Sequence, residues 1–204
     1  MAYQHDIFIS YRRNPETLGW IKDHFLPLLS LRLDFEIGRT PSIFLDEQIE
    51  SGSSYPAALG AALGSSRVLL VLWTGNYLSS VWCTEEFNQM LGREKQAKLR
   101  TVDKPHGLVF PVFIHDGQTF PPALQHIKPI QIQSCFNPRM PRTSTRAEEL
   151  DTKIAEQAQA IAGSIQKAPA WRKEWPLKAG AAFSVLFRRH AELVQTRVPR
   201  FTQP

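Results

Sequence analysis

Three short groups of residues in this 204-residue chain carry side chains with chemical potential. Ser10-Tyr11-Arg12-Arg13 sets two cations beside a phenol. The run from Phe44 to Tyr55 brings Asp46, Glu47 and Glu50 together with Ser53, Ser54 and the ring of Tyr55. Ser79 to Glu86 holds an indole, a thiol and two carboxylates. Trp82 and Glu86 are four apart, so on a helix they share one face about one turn from each other. Cys83, Phe87, Met90 and Leu91 form the neighbouring stripe, which is expected to be the buried one. Glu86 then sits at the edge of the core beside an indole, partly desolvated. That setting suits a carboxylate that acts on a bound ring compound. Glu85 points about 100° away and is expected to be solvated.

Other chemistries lack their residues. There is no GxGxxG after a strand, no GxxxxGK[ST] and no GxSxG. The six histidines are scattered, without HxxxH, HExxH or CxxC, so no metal site is expected. Each histidine reads as a surface or packing residue. The two cysteines, Cys83 and Cys135, make a disulfide framework implausible and point to a reducing, cytoplasmic setting. The longest apolar stretches, such as Val68–Trp73, are far below the roughly 18–20 residues of a membrane span. No charged-then-apolar leader opens the chain.

The elements that must position these groups alternate. Strand signals fall at Asp6–Ser10, Ser42–Asp46, Arg67–Trp73, Leu108–Ile114 and Pro129–Ile132. Helix signals fall at Glu16–Phe35, Ser54–Gly64, Asn76–Gln96 and, briefly, Pro122–Ile127. The strands are continuously apolar, as strands buried on both faces of a parallel sheet are. The order predicts an open, doubly wound α/β sheet with right-handed crossovers. All three residue groups then lie at the carboxyl ends of strands, where such sheets bind ligands. A longer helix follows Ser144, with a capping box at Thr145 and Glu148 and an apolar stripe of Leu150, Ile154, Ala158, Ile161 and Ile165. Trp171–Pro176 reads as a turn plugging back onto the domain. One more helix is expected over Ala179–Val194, apolar at Ala182, Val185, Leu186 and Leu193.

In this order and spacing, DIFISYRR, FLDEQIESGSSY and SRVLLVLWTGNYLSSVWCTEEF resemble a TIR (Toll/interleukin-1 receptor) domain over about residues 4–167. FISYRR matches that family's opening strand, FLDxxIxxG its BB loop, and SxxWCxxE the segment that carries the catalytic glutamate of NAD-consuming members. LVFPVFI and IKPIQI fit the remaining strands. The resemblance implies a flavodoxin-like, five-stranded parallel sheet of order 2-1-3-4-5 with helices on both faces. It implies that Glu86 is catalytic and that Ser10, Tyr11, Arg12, Asp46, Glu50, Ser53, Tyr55 and Trp82 line the nucleotide pocket. Tyr55 stands where many members have Trp, and the loop is compact. The implied activity is cleavage of the nicotinamide–ribose bond of NAD+, a substrate, with no separate cofactor. The products are nicotinamide plus ADP-ribose or a cyclic or modified ADP-ribose signal. Stand-alone bacterial TIR proteins of antiphage immunity are similar. They imply self-association through the BB loop, in head-to-tail contacts able to build filaments, and a separate effector or sensor partner.

Two other classes fit the same residues. One is a non-catalytic adaptor acting by TIR–TIR assembly; the other is a regulator that holds a nucleotide without cleaving it. The formal charge of +5 is local to a basic helical extension over 168–204. Residues 167–204 carry eight Lys/Arg and two Asp/Glu, whereas 1–166 carry sixteen against seventeen. Neither membrane nor nucleic-acid contact is expected from such a helix, which more often presents a solvated face.

Overall fold

The computed structural model describes residues 2–48 and 54–197, and side chains through Arg189. Five parallel strands form the sheet: β1 (His5–Tyr11), β2 (Ile43–Phe44), β3 (Ser66–Trp73), β4 (Val109–Phe113) and β5 (Ile130–Gln131). Their order is β2-β1-β3-β4-β5, the expected flavodoxin-like arrangement. Ile7 pairs with both Ile43 and Val68, and Leu70 of β3 pairs with Phe110 of β4. The two central strands are buried almost end to end, which is why their residues are apolar without alternation.

Buried ionic groups tie the strand entrances. Asp6, at the start of β1, accepts from the two terminal guanidinium nitrogens of Arg39 at 2.7 Å and from the Ser42 amide at 2.9 Å. These hydrogen bonds hold its carboxyl below the usual range, against the opposing effect of burial. Glu94 accepts the Val109 amide at 2.8 Å and a bidentate grip from Arg100 at 2.8 and 2.9 Å, which fixes the entry to β4.

Among the described residues, six helices surround the sheet. On one face lie α1 (Pro15–Trp20), α2 (Leu26–Ile37) and α5 (Thr145–Gln166), with Arg32 of α2 bound to Asp151 of α5. On the other lie α3 (Tyr55–Gly64) and α4 (Val81–Gln96), and α6 (Glu174–Arg197) packs on both of these. The helix expected over Glu16–Phe35 runs on from α1 into α2 without a gap, and one wide π-type turn at Ile21–Phe25 lies within it. Pro27 explains it: it has no N–H to give Asp23, and its ring crowds that carbonyl, so the ladder widens there. The expected helix at Pro122–Ile127 is only a 3-10 turn over Pro122–Leu124. Ser144, not Thr145, caps α5, accepting the Ala147 amide.

Of the apolar positions expected on α6, Leu186 packs against the core, and the Leu193 side chain lies outside the described residues. The helix starts at Glu174, because Pro176 is tolerated in a first turn. Its buried residues are Trp175, Ala179 and Phe183, spaced by four, whereas Val185 is 38% exposed. Two glycines of α3 admit it. A Cβ on Gly60 would lie 2.3 Å from the Gly180 nitrogen, and one on Gly64 would lie 2.3 Å from the Pro176 Cα. Arg93, buried on α4, donates to the Leu63 and Ser66 carbonyls at 3.0 and 3.2 Å. Its guanidinium also covers the Trp175 ring at 4.6 Å, pinning the start of α6.

This contact generates a test. In an exposed helix, Gly→Ala stabilises by about 0.5–1 kcal/mol. Gly60→Ala is expected to do the opposite, lowering unfolding free energy by about 1–3 kcal/mol through overpacking against α6. Urea unfolding of the two proteins checks it; a gain in stability would contradict the close helix contact.

Candidate functional site

The strand ends deliver the three groups to one place. Arg12 and Arg13 follow directly from β1, Asp46 follows β2, and α4 rises from the turn after β3. Together they border an open cleft of about 600 Å³, with Tyr11, Tyr55, Trp82 and Glu86 among its walls. Ser10 is buried behind Glu86 and reaches the cleft through it. Glu50 and Ser53 lie outside the described residues. A smaller cavity of about 340 Å³ sits at the opposite, amino end of the strands, near Leu108 where β4 begins, and holds none of the candidate residues.

Glu86 is the most constrained group. It lies in the second turn of α4, whose start is set by Ser80 accepting the Cys83 amide. Cys83, Phe87 and Met90 form the buried stripe read from the spacing, but Glu86 goes in with them and is only 6% exposed. Ser10 Oγ donates to Glu86 Oε2. Ser10 Oγ also lies 2.5 Å from the Tyr77 hydroxyl, which is 3.1 Å from the Cys83 carbonyl. The three hydroxyl and carboxyl groups form a chain with two possible directions. With Glu86 ionised, protons point from Tyr77 to Ser10 to the carboxylate. With Glu86 protonated, they point from the carboxyl through Ser10 and Tyr77 to the Cys83 carbonyl.

Burial raises the Glu86 pKa to about 8; the Ser10 hydrogen bond and Arg13 oppose that rise, and the charge of Asp46 adds to it. The carboxyl is therefore mostly protonated at neutral pH. Cys83 is pushed up to about 12, chiefly by burial, so it is a packing thiol and not a nucleophile.

Asp46 organises the cleft mouth. It accepts from Arg13 Nε at 2.7 Å, Tyr11 at 3.0 Å and Tyr55 at 3.3 Å. Arg13 in turn covers the Tyr55 ring at 5.0 Å. Arg12 turns the other way, donating to Ser79 and to the Asn76 carbonyl. Tyr55 meets Trp82 edge-on at 5.7 Å, and Trp82 stacks on Phe183 at 5.6 Å and 17°. Trp82 is thus both a core contact and a cleft wall.

Sequence reasoning did not assign roles to Tyr77, Ser79, Phe183 or Phe187. Tyr77 and Ser79 carry no local signal, since each acts across the sheet top on a residue 67 positions away. The spacing of four through Trp175, Ala179, Phe183 and Phe187 was available and marks the α6 contact face.

The buried carboxyl has a measurable thermodynamic consequence. A carboxyl whose pKa rises on folding holds its proton more tightly when folded. The contribution of Glu86 to stability is then fully present below its ordinary value of 4.5 and is lost as pH climbs toward about 8. Glu86→Gln is expected to raise stability by about 2–4 kcal/mol at pH 7 and by little at pH 4. Ser10→Ala, which removes a stabilising donor, is expected to move the Glu86 midpoint up by about one pH unit. Urea unfolding across pH and a carboxyl NMR titration read both effects; a Glu86 midpoint near 4.5 would contradict the buried placement.

A family model described as TIR domain matches residues 7–143, well over half of the chain. The Arabidopsis thaliana protein SUPPRESSOR OF npr1-1, CONSTITUTIVE 1 is 28% identical over 113 residues. That match takes in 55% of this chain and 7% of the relative, so the chain spans only a small part of its length. Among solved structures, the TIR domain of the Toll-related receptor TRR-2 from Hydra magnipapillata shares 15% identity at a TM-score of 0.46, covering 63% of this chain and 84% of that one. The TIR domains of the activated Roq1 resistosome share 19% identity at a TM-score of 0.39, covering 91% of this chain and 99% of that one. The chain belongs to the TIR domain family.

Proposed function

We propose that this TIR domain cleaves the nicotinamide–ribose bond of NAD+. The observation that carries the reading is Glu86: a carboxylate buried at the cleft wall, backed by Ser10 and Tyr77 and flanked by Trp82. Glycoside cleavage through a cationic sugar normally needs a second carboxyl as acid for the leaving oxygen. Nicotinamide needs none. The C1′–N bond breaks, its electron pair goes to the ring nitrogen, and a cationic pyridinium leaves as a neutral pyridine. What remains is to stabilise the developing sugar cation, and one ionised carboxylate in a site of low polarity does that. Water captures the cation to give ADP-ribose and a proton; capture by an adenine nitrogen or ribose hydroxyl gives a cyclic product.

Protonation state then governs rate. Glu86 must be ionised to act, and its pKa near 8 keeps it mostly neutral before substrate binds. The positive charge of the bound nicotinamide ring favours the carboxylate and draws that pKa down. Arg12 and Arg13 border the same cleft and suit the diphosphate, with Arg13 held in place by Asp46.

The setting proposed is a cytoplasmic immune signal, antiphage in a bacterium, with turnover gated by self-association through the loop between Asp46 and Tyr55 and read by a separate effector. The motif resemblance supports this setting. No described helix is long and apolar enough to cross a membrane.

The test is nicotinamide release from NAD+, with products resolved by mass, for wild type and Glu86→Ala across a wide range of protein concentration. Wild type is expected to turn over NAD+ with a steep dependence on concentration, and Glu86→Ala to lose about 10²–10³-fold. For wild type, kcat/KM is expected to rise with pH up to about 8 and then level, following the free-enzyme pKa. Absence of turnover at every concentration would favour the adaptor reading. Equal turnover by both proteins would remove Glu86 from the chemistry.

A further inference from the structure

We infer that helix α6, which lies beyond the residues matched by the family model, supplies a purine-stacking wall to the cleft through Phe187. The inference deepens the NAD+ reading and rests on it for the orientation of the ligand.

Phe183 and Phe187 occupy successive turns of one face of α6. Phe183 is fully buried and stacks on Trp82. Phe187, one turn on, borders the same cleft as Trp82 and Glu86, yet its side is 52% exposed and it stacks on no other ring among the described residues. An apolar ring left half in water at the edge of a polar cleft is a stacking surface without its partner. Phe187 and Tyr55 also border an adjoining groove, together with Ser54, Pro56, Ser184 and Arg188. The cleft therefore continues past Tyr55 along α6.

A dinucleotide fits that continuity in one direction. Its nicotinamide ribose must face Glu86, so the other half extends away from Glu86, toward the groove. There the purine has the Phe187 face to stack on. Arg188 and the start of α3 bring positive potential beside the ribose and phosphate. Base–aromatic stacking depends on the π-face and is removed by an aliphatic side chain of similar bulk.

The experiment is calorimetric titration with AMP, ADP-ribose and nicotinamide mononucleotide, on the Glu86→Gln protein and on the same protein carrying Phe187→Leu or Phe187→Tyr. Because Phe187 is half exposed, neither change is expected to disturb folding, and a thermal melt checks this. Phe187→Leu is expected to weaken AMP and ADP-ribose about 5- to 100-fold and leave nicotinamide mononucleotide within about twofold. Phe187→Tyr, which keeps the ring, is expected to bind all three as its parent does. Unchanged AMP affinity in Phe187→Leu, or no AMP binding by the parent, overturns the inference. Tighter binding in Phe187→Leu also overturns it, because Phe187 would then obstruct the cleft. Nicotinamide release by wild type is scored separately, so loss of the glycohydrolase reading and loss of this subsite give different results.

Discussion

A carboxyl group taken out of water has to find replacement for its hydration, and the placement of Glu86 makes the rest of this structure answer that need. Ser10 supplies the direct hydrogen bond, and Tyr77 backs Ser10. Ser10 is the penultimate residue of β1, Tyr77 belongs to the turn after β3, and Glu86 lies on α4. Bringing them within hydrogen-bond distance requires β1 and β3 to be neighbours and α4 to start close above them. The parallel pairing of β1 with β3 does the first, and the Ser80 cap does the second. Burial still outweighs the hydrogen bond, which leaves the carboxyl poised to ionise near neutral pH rather than permanently charged.

The cleft mouth follows a different logic. Asp46 is surrounded by Arg13, Tyr11 and Tyr55, so one acceptor orients a cation and two rings that come from one strand end and a helix start. Its charge also reaches Glu86 and reinforces the effect of burial there. The two acidic residues therefore divide the work. Asp46 sits among three polar partners at the mouth, while Glu86 is buried on one direct donor, Ser10, and keeps a raised pKa.

Helix α6 is joined to this site by packing, not by charge. Gly60 and Gly64 lower the surface of α3 enough for the backbone of α6 to approach, and Arg93 with Trp175 fixes where it begins. Phe183 then lies under Trp82, so the indole is stacked from behind before any ligand arrives. An element outside the matched part of the family thereby sets the rigidity of an aromatic wall of the cleft.

The continuously apolar strands, the alternation of elements and the residues at the strand ends were readable in order along the chain, because burial on both faces and the crevice rule leave local marks. So was the Trp82–Glu86 face, which needs only helical periodicity. Pro27 left the helix that periodicity reads intact but widened one turn of it, since a missing donor removes one rung of the ladder. The depth of Glu86 was underestimated: spacing places a residue on a face, but how far that face is covered depends on β1 and the turn after β3. The hydroxyl chain through Ser10 and Tyr77 and the aromatic wall from α6 join residues far apart in the chain. Periodicity reports the face an element buries; which distant residue meets that face is decided only when the sheet order and the helix docking bring them together.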